Sequence, residues 1–555
     1  MTKAHPAHGI SEAELVSINT IRTLSLDAIE KANSGHPGAP LGMAPAAYAI
    51  WQHFMKHNPQ NPMWPDRDRF VLSAGHASMM LYAILYLTGY GLNIEDLKQF
   101  RQWKSLTPGH PEARRTPGVE ITTGPLGQGF ASAVGLAAAE RHLAAVFNRP
   151  GHDIVDHYTY VMCGDGDLME GISQEAASLA GHLGLSRLIC LYDDNQISIE
   201  GNTDIAFTED VAGRFEASGW QVINVADGNN VSQIVKAMEE ARAETERPSM
   251  IILRTSIAYG SPNKQGSADA HGAPLGEEEV CLTKEFLGCP ANELFCVPQA
   301  ALDHMRTAVE KGRRQEEQWR ERFEQYSRQY PELAEQFTAR MEGRLPENWD
   351  ADIPSFSPED GNVATRKASG SVLNAIAGRV PELIGGSADL APSNKTLIQN
   401  CPDFQKDSYH GRNIRYGVRE HAMGAITNGL WLHSGLRPYA GTFLVFSDYM
   451  RPAIRMSALM NVPAVYVFTH DSLAVGEDGP THQPVEHLTS LRAIPHLQVI
   501  RPADANETAE AWKLAMQSSD LPVALVLSRQ GLPVIDRNLY ASAEGLKNGA
   551  YVIAE

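Results

Sequence analysis

Acidic and amide side chains follow two apolar runs in the middle of the chain. Residues 158–163 (YTYVMC) indicate a buried strand, and a Gly-Asp-Gly turn that holds Asp165 comes next. A helical stretch at 173–183 leads to a second apolar run, 187–192 (RLICLY), which ends in Asp-Asp-Asn. Strand, helix and strand in this order predict a right-handed βαβ unit with parallel strands. Because both strands then end at one edge of the sheet, Asp165 and Asn195 should lie side by side.

Oxygen atoms at such an edge are suited to a divalent cation. Asp165 and Asn195 both offer oxygen ligands, which fit magnesium or calcium better than zinc or copper. The glycines on either side of Asp165 leave room for a phosphate, so the pair predicts a metal ion that carries a diphosphate. An ordinary βα turn is the alternative for Gly-Asp-Gly alone, since both residue types are common in turns. The second polar cluster, one helix and one strand later, favours the metal site.

Histidines in segments rich in glycine and proline are the next candidates. His36 (SGHPG), His110 (PGHP) and His271 (AHGAP) are predicted in loops, where a histidine is commonly a surface residue. His76 stands at the start of an apolar helix, whose positive end can help to hold a phosphate, although a capping role is also typical. Residues 122–129 (TTGPLGQG) form a Gly-rich loop before another apolar helix. Its glycines fit either close approach to a ring or diphosphate, or tight helix packing.

Composition limits the classes of function. The chain has 555 residues and a net charge of −19, which argues against nucleic acid or an anionic membrane as the main partner. Its six cysteines lack metal-like spacing, so we expect a reduced protein of the cytoplasm. The N-terminus has no apolar segment, and no run of 18 apolar residues occurs, so neither secretion nor a membrane span is predicted.

Strands and helices alternate along the chain, which predicts an α/β fold with mainly parallel sheets in two domains. Two local features are also predicted. Residues 31–44, with three glycines and two prolines, should form a long loop. Trp319, Phe323, Tyr326 and Tyr330 should form one aromatic face of a solvent-exposed helix. The predicted bounds are 1–300 for the first domain, 301–358 for a helical connection and linker, 359–540 for the second domain and 541–555 for the start of a third.

Ten motifs, in order along essentially the whole chain, resemble those of the transketolase family. They are NSGHPGAPLGMAP, LSAGHAS, GPLGQG, GDGDLMEGIS, DDNQISI, HGAPLG, IGGSADLAPSN, RYGVREHAMGAI, AGTFLVFSDY and HDSLAVGEDGPTHQP. The resemblance implies two domains of the thiamine-diphosphate-binding type. It also implies reversible transfer of a two-carbon ketol unit from a ketose phosphate, such as xylulose 5-phosphate, to an aldose phosphate, such as ribose 5-phosphate or erythrose 4-phosphate. This reaction belongs to the non-oxidative pentose phosphate pathway.

The resemblance also implies roles for individual residues around the cofactor. Mg²⁺ or Ca²⁺ would be held by Asp165, Asn195 and the backbone carbonyl of Ile197. Thiamine diphosphate would contact His76, Gly124, Pro125, Leu126, Gly166, Glu170, Asn195, His271, Asp389, Glu420, Phe443, Phe446 and Tyr449. Glu420 would bond the pyrimidine ring and favour the tautomer that deprotonates the cofactor carbon to an ylid. An Arg-Glu-His run is otherwise typical of a solvated helix face, and the three aromatic rings could simply be core.

Substrate contacts and a homodimer follow from the same resemblance. The sugar phosphate would be bound by Arg366, Ser393, His470 and Arg529, and its hydroxyls by Asp478 and His482. His36, His110 and His271 would line the donor channel, and His36, His271 and His482 would join Glu420 as catalytic residues. In the family, Glu420 comes from the second subunit, so the active site would lie at the interface of a homodimer.

The sequence departs from the family at its end and leaves two alternatives open. The family has a third, C-terminal domain of roughly a hundred residues, a normal domain size, and we expect this domain to be largely absent here. One alternative is a related thiamine enzyme, namely dihydroxyacetone synthase or deoxyxylulose-phosphate synthase. The other is a non-catalytic relative that keeps the fold. The presence of Glu420, Asp165 and Asn195 favours an active enzyme.

Overall fold

The structure is a computed structural model that describes residues 10–554. The chain divides into two compact units. The first unit runs to Ala137 and continues through Asn148–Gln329, and the second comprises Ala138–Phe147 and the chain from Tyr330 onward. The predicted domain bounds, with a separate connection at 301–358, stay a prediction.

The helices and strands alternate over most of the described chain. The helices are α1 (Glu12–Ala32), α2 (Gly38–Ala49), α3 (Ser78–Thr88), α4 (Ile94–Lys98), α5 (Gln128–Phe147), α6 (Asp165–Met169), α7 (Gly171–Leu183), α8 (Val211–Ala217), α9 (Val231–Ala243), α10 (Glu277–Phe286), α11 (Gln299–Gln329), α12 (Pro331–Met341), α13 (Thr365–Arg379), α14 (Ala391–Asn394), α15 (Glu420–Leu432), α16 (Ser447–Leu459), α17 (His487–Arg492) and α18 (Ala505–Gln517). The strands are β1 (Arg69–Leu72), β2 (Thr159–Gly164), β3 (Leu188–Asp194), β4 (Ile197–Ser198), β5 (Gly201–Asn202), β6 (Gln221–Val225), β7 (Ser249–Arg254), β8 (Asn362–Val363), β9 (Leu383–Ser387), β10 (Asn413–Arg415), β11 (Arg437–Phe443), β12 (Val465–Thr469), β13 (Gln498–Ile500), β14 (Val523–Leu527) and β15 (Leu532–Pro533).

The first unit is built on a five-stranded sheet in the order β1-β2-β3-β7-β6, and every pairing in it is parallel. Alternate strand residues, such as Leu72, Met162 and Leu191, pack into one apolar core with α1, α3 and α9. Strands β2 and β3, with α6 and α7 between them, form the predicted βαβ unit. Gly164 pairs with Asp193, so the chain leaves both strands at the same edge of the sheet.

The second unit contains a six-stranded sheet in the order β10-β9-β11-β12-β14-β13, again parallel throughout. Val465, Val467 and Leu525 from its central strands pack against α13 and α18, where Trp512 is fully buried. The predicted α/β fold with parallel sheets is therefore confirmed in both units.

The predicted loop at 31–44 is wrong, because helix α2 begins at Gly38. Glycine is required there by packing rather than by a turn. A Cβ on Gly38 would lie 2.6 Å from the carbonyl oxygen of Ala270, and one on Gly42 would lie 2.9 Å from that of Ser256. Prolines at the start of a helix cost little, since the first N–H groups have no partner within the helix.

Of the residues predicted on one aromatic face of a solvent-exposed helix, Trp319 and Tyr326 are buried in the first unit, whereas the charged residues of α11 are largely exposed. Trp319 is 8% exposed and donates its indole N–H to the carbonyl oxygen of Ile154 at 2.9 Å. Tyr326 is fully buried, and Tyr330 lies outside α11 and caps α12. The segment has a polar composition because charged residues occupy the rest of the helix surface. Composition alone does not show which side of a helix packs against the protein.

One described helix, α5, is long and apolar enough to cross a membrane, which a count of uninterrupted apolar residues did not show. In its most apolar window, 78% of the residues are buried inside the protein. Such burial is typical of a core helix.

Candidate active site

A cleft of about 470 Å³ lies at the carboxyl ends of the strands in the first unit, a size that fits a small-molecule site. The structure brings together there every residue that the sequence predicted for this unit, apart from Pro125. These residues are His36, His76, His110, Gly124, Leu126, Asp165, Gly166, Glu170, Asn195, Ile197 and His271.

Asp165 has one carboxylate oxygen committed and one available. Its Oδ1 accepts a hydrogen bond from the hydroxyl of Tyr192 at 2.5 Å, whereas the buried Oδ2 has no hydrogen-bond partner. Burial raises the pKa of Asp165 to about 7, and Asp193 and Asp194 raise it further, against the lowering effects of the Tyr192 hydroxyl and the backbone N–H of Gln196. A buried oxygen of this kind fits a cation, which would relieve both the desolvation and the repulsion.

Asn195 and Ile197 lie in the same cleft as Asp165. The amide Oδ1 of Asn195 accepts the backbone N–H of Ile197 at 2.9 Å, which forms a tight turn after β3. The candidate ligand atoms on these cleft-lining residues are therefore a carboxylate oxygen, an amide oxygen and a backbone carbonyl. This all-oxygen set fits Mg²⁺ or Ca²⁺.

Two glycines keep the backbone of the cleft open to a ligand. A Cβ on Gly166 would lie 2.7 Å from Cδ1 of Leu126, so no larger residue fits there without a shift. Gly124 has a φ of +134°, which L residues rarely adopt. The bare backbone at both positions suits the close approach of a diphosphate.

Four histidine rings cluster in the cleft. His36 lies 5.4 Å from His76, 6.0 Å from His110 and 5.9 Å from His271, and the rings of His76 and His271 are 5.1 Å apart. Burial lowers the pKa of all four, that of His36 to about 4 with a further effect of Arg101, so the rings are neutral at pH 7. Arg101 Nη2 lies 3.3 Å from Nδ1 of His36; as a guanidinium can only donate, the ring proton is on Nε2. The buried Nδ1 of His271 has no hydrogen-bond partner.

Asp167 is a residue of this region that sequence reasoning missed. Fully buried, it accepts hydrogen bonds from the Ser73 hydroxyl (2.7 Å), the Gly127 N–H (2.8 Å) and the Gly164 N–H (3.0 Å). It thereby joins the end of β1, the Gly-rich loop and the end of β2. Its place in the first turn of α6, where carboxylates cap backbone N–H groups, is the sequence signal that could have found it.

A second set of predicted residues meets in the second unit, around an aromatic cluster after β11. The rings of Phe443 and Phe446 are stacked with centroids 5.9 Å apart, and His470 lies 3.7 Å from Phe443. His482 lies 5.3 Å from Phe446. Tyr449 is within 6.1 Å of Phe446 but is 65% exposed. These flat faces are partly open, so the cluster could stack a planar ring.

Positive charge lies beside this cluster. Arg366 donates to the carbonyl oxygen of Ser393 at 2.8 Å. Burial lowers the pKa of His470 to about 4, and the charges of Arg366 and Arg529 lower it further. Arg529 forms an ion pair with Glu477, which a bound phosphate would have to displace. The sequence did not indicate this competition.

The remaining predicted residues are acidic. Glu420 is the first residue of α15 and is 8% exposed. Asp389 follows β9 with a φ of +59° and is exposed. Asp478 is exposed on the loop after β12, and its charge raises the pKa of Arg366, which burial lowers.

Two family models match the chain. One, described as the thiamine diphosphate binding domain of transketolase, matches residues 13–346, and the pyrimidine binding domain of transketolase matches residues 361–534. The chain is 59% identical to a transketolase of Geobacillus stearothermophilus, over 99% of this chain and 82% of that protein. It is 57% identical to the transketolase of Bacillus subtilis, over 98% of this chain and 81% of that protein.

Solved structures give the same result. Transketolase of Pichia stipitis in complex with sedoheptulose 7-phosphate superposes with a TM-score of 0.96 at 48% identity, over 98% of this chain and 81% of that one. Transketolase of Campylobacter jejuni superposes with a TM-score of 0.91 at 45% identity, over 99% of this chain and 83% of that one.

The parallel sheets and the cleft at the strand ends, with these matches, define an enzyme of the thiamine-diphosphate-binding class. The chain belongs to the transketolase family, and its activity is the transfer of ketol groups. The predicted family, fold class and type of enzyme are confirmed. The predicted lack of most of a C-terminal domain is not confirmed by these alignments.

Proposed function

We propose that the cleft of the first unit holds thiamine diphosphate through a divalent ion, and that the chain transfers two-carbon units between sugar phosphates. The observation that carries the metal site is the buried Oδ2 of Asp165, which has no hydrogen-bond partner and lies in a cleft with other oxygen donors. Asp165, Asn195 and the carbonyl of Ile197 would be the ligands, with Mg²⁺ or Ca²⁺ as the ion.

Contacts to the diphosphate would come from the glycine backbone and from neutral histidines. Gly166 and residues 124–126 present backbone without bulky side chains, and His76 and His271 can each donate a hydrogen bond to a phosphate oxygen. Glu170 is exposed at the rim, at the start of α7. Neutral rings suit this position because the cation, rather than the protein, then balances the diphosphate charge.

We assign the thiamine ring system to the residues of the second unit. When bound, thiamine diphosphate supplies the carbon nucleophile that takes up the two-carbon unit. Phe443, Phe446 and Tyr449 would stack the pyrimidine ring, with Asp389 nearby, and the Glu420 carboxylate would exchange a proton with a ring nitrogen. In a homodimer with its active site at the interface, Glu420 would act on the cofactor of the other subunit.

Substrate binding would combine cations with neutral imidazoles. Arg366 and Arg529 can each meet phosphate oxygens with two N–H groups, and Ser393 and His470 lie beside them. Asp478 and His482 would contact sugar hydroxyls. His36, His110 and His271 would bind hydroxyls and move their protons, as neutral rings that both donate and accept. The sugar phosphates named with the Pichia stipitis structures support this class of substrate.

The family models also support the proposed division of the chain, with the diphosphate and metal domain at 1–300, the connection at 301–358 and the pyrimidine domain at 359–540. The matches at 13–346 and 361–534 leave the break between domains inside the connection or just beyond it.

The test is ketol transfer from xylulose 5-phosphate to ribose 5-phosphate by protein stripped with a chelator. We expect activity only when both thiamine diphosphate and Mg²⁺ are restored. Activity of the stripped protein without either addition would contradict the proposed cofactor. Cofactor binding without transfer would contradict the proposed substrates, and formaldehyde in place of ribose 5-phosphate would then distinguish the dihydroxyacetone synthase reaction.

A further inference from the structure

The side chain of Asn195 can ligate a metal with only one of its two ends. Its amide oxygen and amide nitrogen have nearly the same shape, but the nitrogen carries two hydrogens and repels a cation. The affinity of the proposed site therefore depends on which end of the amide points toward the ion. A residue that fixes this choice contributes to binding without touching the metal.

Hydrogen bonds determine the orientation of this amide from both ends. The Nδ2 of Asn195 donates to Oδ2 of Asp193 at 2.7 Å, and a carboxylate can only accept. The Oδ1 of Asn195 accepts from the N–H of Ile197 at 2.9 Å, and that group can only donate. If the amide were reversed, both hydrogen bonds would be lost. Its oxygen would then face the carboxylate of Asp193, and its NH2 group would face the N–H of Ile197. One lone pair of Oδ1 remains for a metal.

Asp193 is itself held firmly. It is 3% exposed, and its other oxygen, Oδ1, accepts from the hydroxyl of Thr255. Its backbone lies in the middle of the sheet, paired with Gly164 on one side and with Leu253 on the other. Thr255 is also buried and directly follows β7. The carboxylate therefore has little freedom to turn away from Asn195.

We propose that Asp193, held by Thr255, is a positioning residue that directs the amide oxygen of Asn195 toward the divalent ion. The inference rests on the proposed function, since it requires a metal between Asp165 and Asn195. Metal affinity would then depend on two residues that do not touch the metal, namely Asp193 and Thr255, which directly follows β7.

A purely electrostatic role is the main competing explanation, because any carboxylate near the site attracts a cation. Asp194 provides the matched control. It is the next residue, and its charge also raises the pKa of Asp165, yet its side chain pairs with Arg254, whereas the side-chain hydrogen bonds of Asn195 go to Asp193 and Ile197. Asp193→Ala and Asp194→Ala each remove one carboxylate, and only the first releases the amide.

The experiment is a titration of chelator-treated protein with Mg²⁺ at saturating thiamine diphosphate, followed by intrinsic fluorescence and by calorimetry. We expect Asp193→Ala to weaken Mg²⁺ binding about 10- to 100-fold, the usual effect of losing a residue that orients a ligand. Asp194→Ala should weaken it by less than about 3-fold. Asp193→Asn removes the charge but keeps an oxygen that can accept from Nδ2 of Asn195, and the N–H of Ile197 still selects the orientation, so it should restore part of the affinity.

Equal losses in Asp193→Ala and Asp194→Ala, or no restoration by Asp193→Asn, would overturn the inference in favour of charge alone. Asp165→Ala separates this result from a failure of the proposed function. If Asp165→Ala binds Mg²⁺ as the wild type does, the metal site itself is misplaced. Thermal unfolding in the presence of chelator checks that each variant is folded. If Asp193→Ala does not fold, Thr255→Val is used in its place, and we expect this smaller change to weaken Mg²⁺ binding about 2- to 5-fold.

Discussion

The predicted site residues of the two units are held in different ways. In the first unit, Asp165 and Asn195 follow buried parallel strands and are hydrogen bonded to the buried side chains of Tyr192 and Asp193. In the second unit, Tyr449 is 65% exposed, Asp389 and Asp478 are exposed on loops, and Arg529 pairs with the exposed carboxylate of Glu477.

This difference separates preformed ligand positions in the first unit from adaptable ones in the second. Strand ends in a parallel sheet are fixed by backbone pairing, so ligand atoms there are positioned before a ligand arrives. Exposed loop residues gain partners only when a ligand or another surface covers them, and part of the binding energy then goes into ordering them. We expect changes at the proposed metal ligands Asp165 and Asn195 to affect cofactor retention, and changes at Glu420 and Arg529 to affect turnover and substrate use.

The largest effect should come from Glu420→Gln. Glutamine keeps the shape of the side chain but cannot take up a proton, so turnover should fall at least about 1,000-fold, near the range for loss of a positioned acid or base. Affinity for thiamine diphosphate and Mg²⁺ should change less than about 3-fold. Steady-state ketol transfer and cofactor titration measure the two quantities. Normal turnover, or an equal loss in both quantities, would remove the distinction between the two units.

Asp165→Ala should have the opposite profile. Removal of a carboxylate ligand should weaken Mg²⁺-dependent binding of thiamine diphosphate about 100-fold, and saturating cofactor should restore part of the turnover. Calorimetric titration of cofactor with and without Mg²⁺ gives the affinity. Asp204→Ala, an exposed carboxylate that does not itself line the cleft, is the control and should bind as the wild type does. An unchanged titration in Asp165→Ala would rule out this metal site.

Sequence reasoning succeeded where a motif coincided with the end of a strand. Apolar runs located β2 and β3 to within two residues, and the parallel arrangement then placed Asp165 near Asn195. This works because burial on both faces makes such strands continuously apolar, and because the carboxyl ends of the strands share an edge. The neutral state of the histidines could not be read in this way, since it depends on burial.

What sequence reasoning missed depends on contacts between distant segments. Asp193 lies two residues before a proposed ligand, and only the structure shows that it accepts hydrogen bonds from both Asn195 and Thr255. Strand β11, with a proline and a glycine, lacks the continuous apolar run that identified β2 and β3. Helix α2 was predicted to be a loop because its glycines were interpreted as turn residues. They are required by close packing against other segments, which a single sequence does not show.

Arg529→Ala tests the adaptable positions of the second unit. Loss of a two-point contact to phosphate should raise the KM for xylulose 5-phosphate about 10-fold, partly offset because the wild type must first break the pair with Glu477. An unphosphorylated ketose should show little change. Arg501→Ala is the control, since this arginine also follows a strand of the sheet and pairs with Asp471. An equal effect on both donors would remove Arg529 from phosphate binding.

The smallest effect concerns acid stability, and it compares the two units directly. Burial lowers the pKa of His36 in the first unit and of His470 in the second to about 4. Both histidines bind a proton in the unfolded chain below about 6.5 but stay neutral in the fold, so their contribution to stability is full above 6.5 and is lost as the pH falls toward 4. His36→Gln and His470→Gln should each reduce the loss of unfolding free energy between pH 6.5 and 4.5 by about 1 kcal/mol, after allowance for solvent screening. Urea unfolding at several pH values measures the free energy of unfolding, with His182→Gln on the exposed surface of α7 as the control.

A variant that follows the wild-type pH dependence would show that its histidine is already protonated in the folded protein. An effect of only one of the two variants would show that the pKa is lowered in one unit and not in the other.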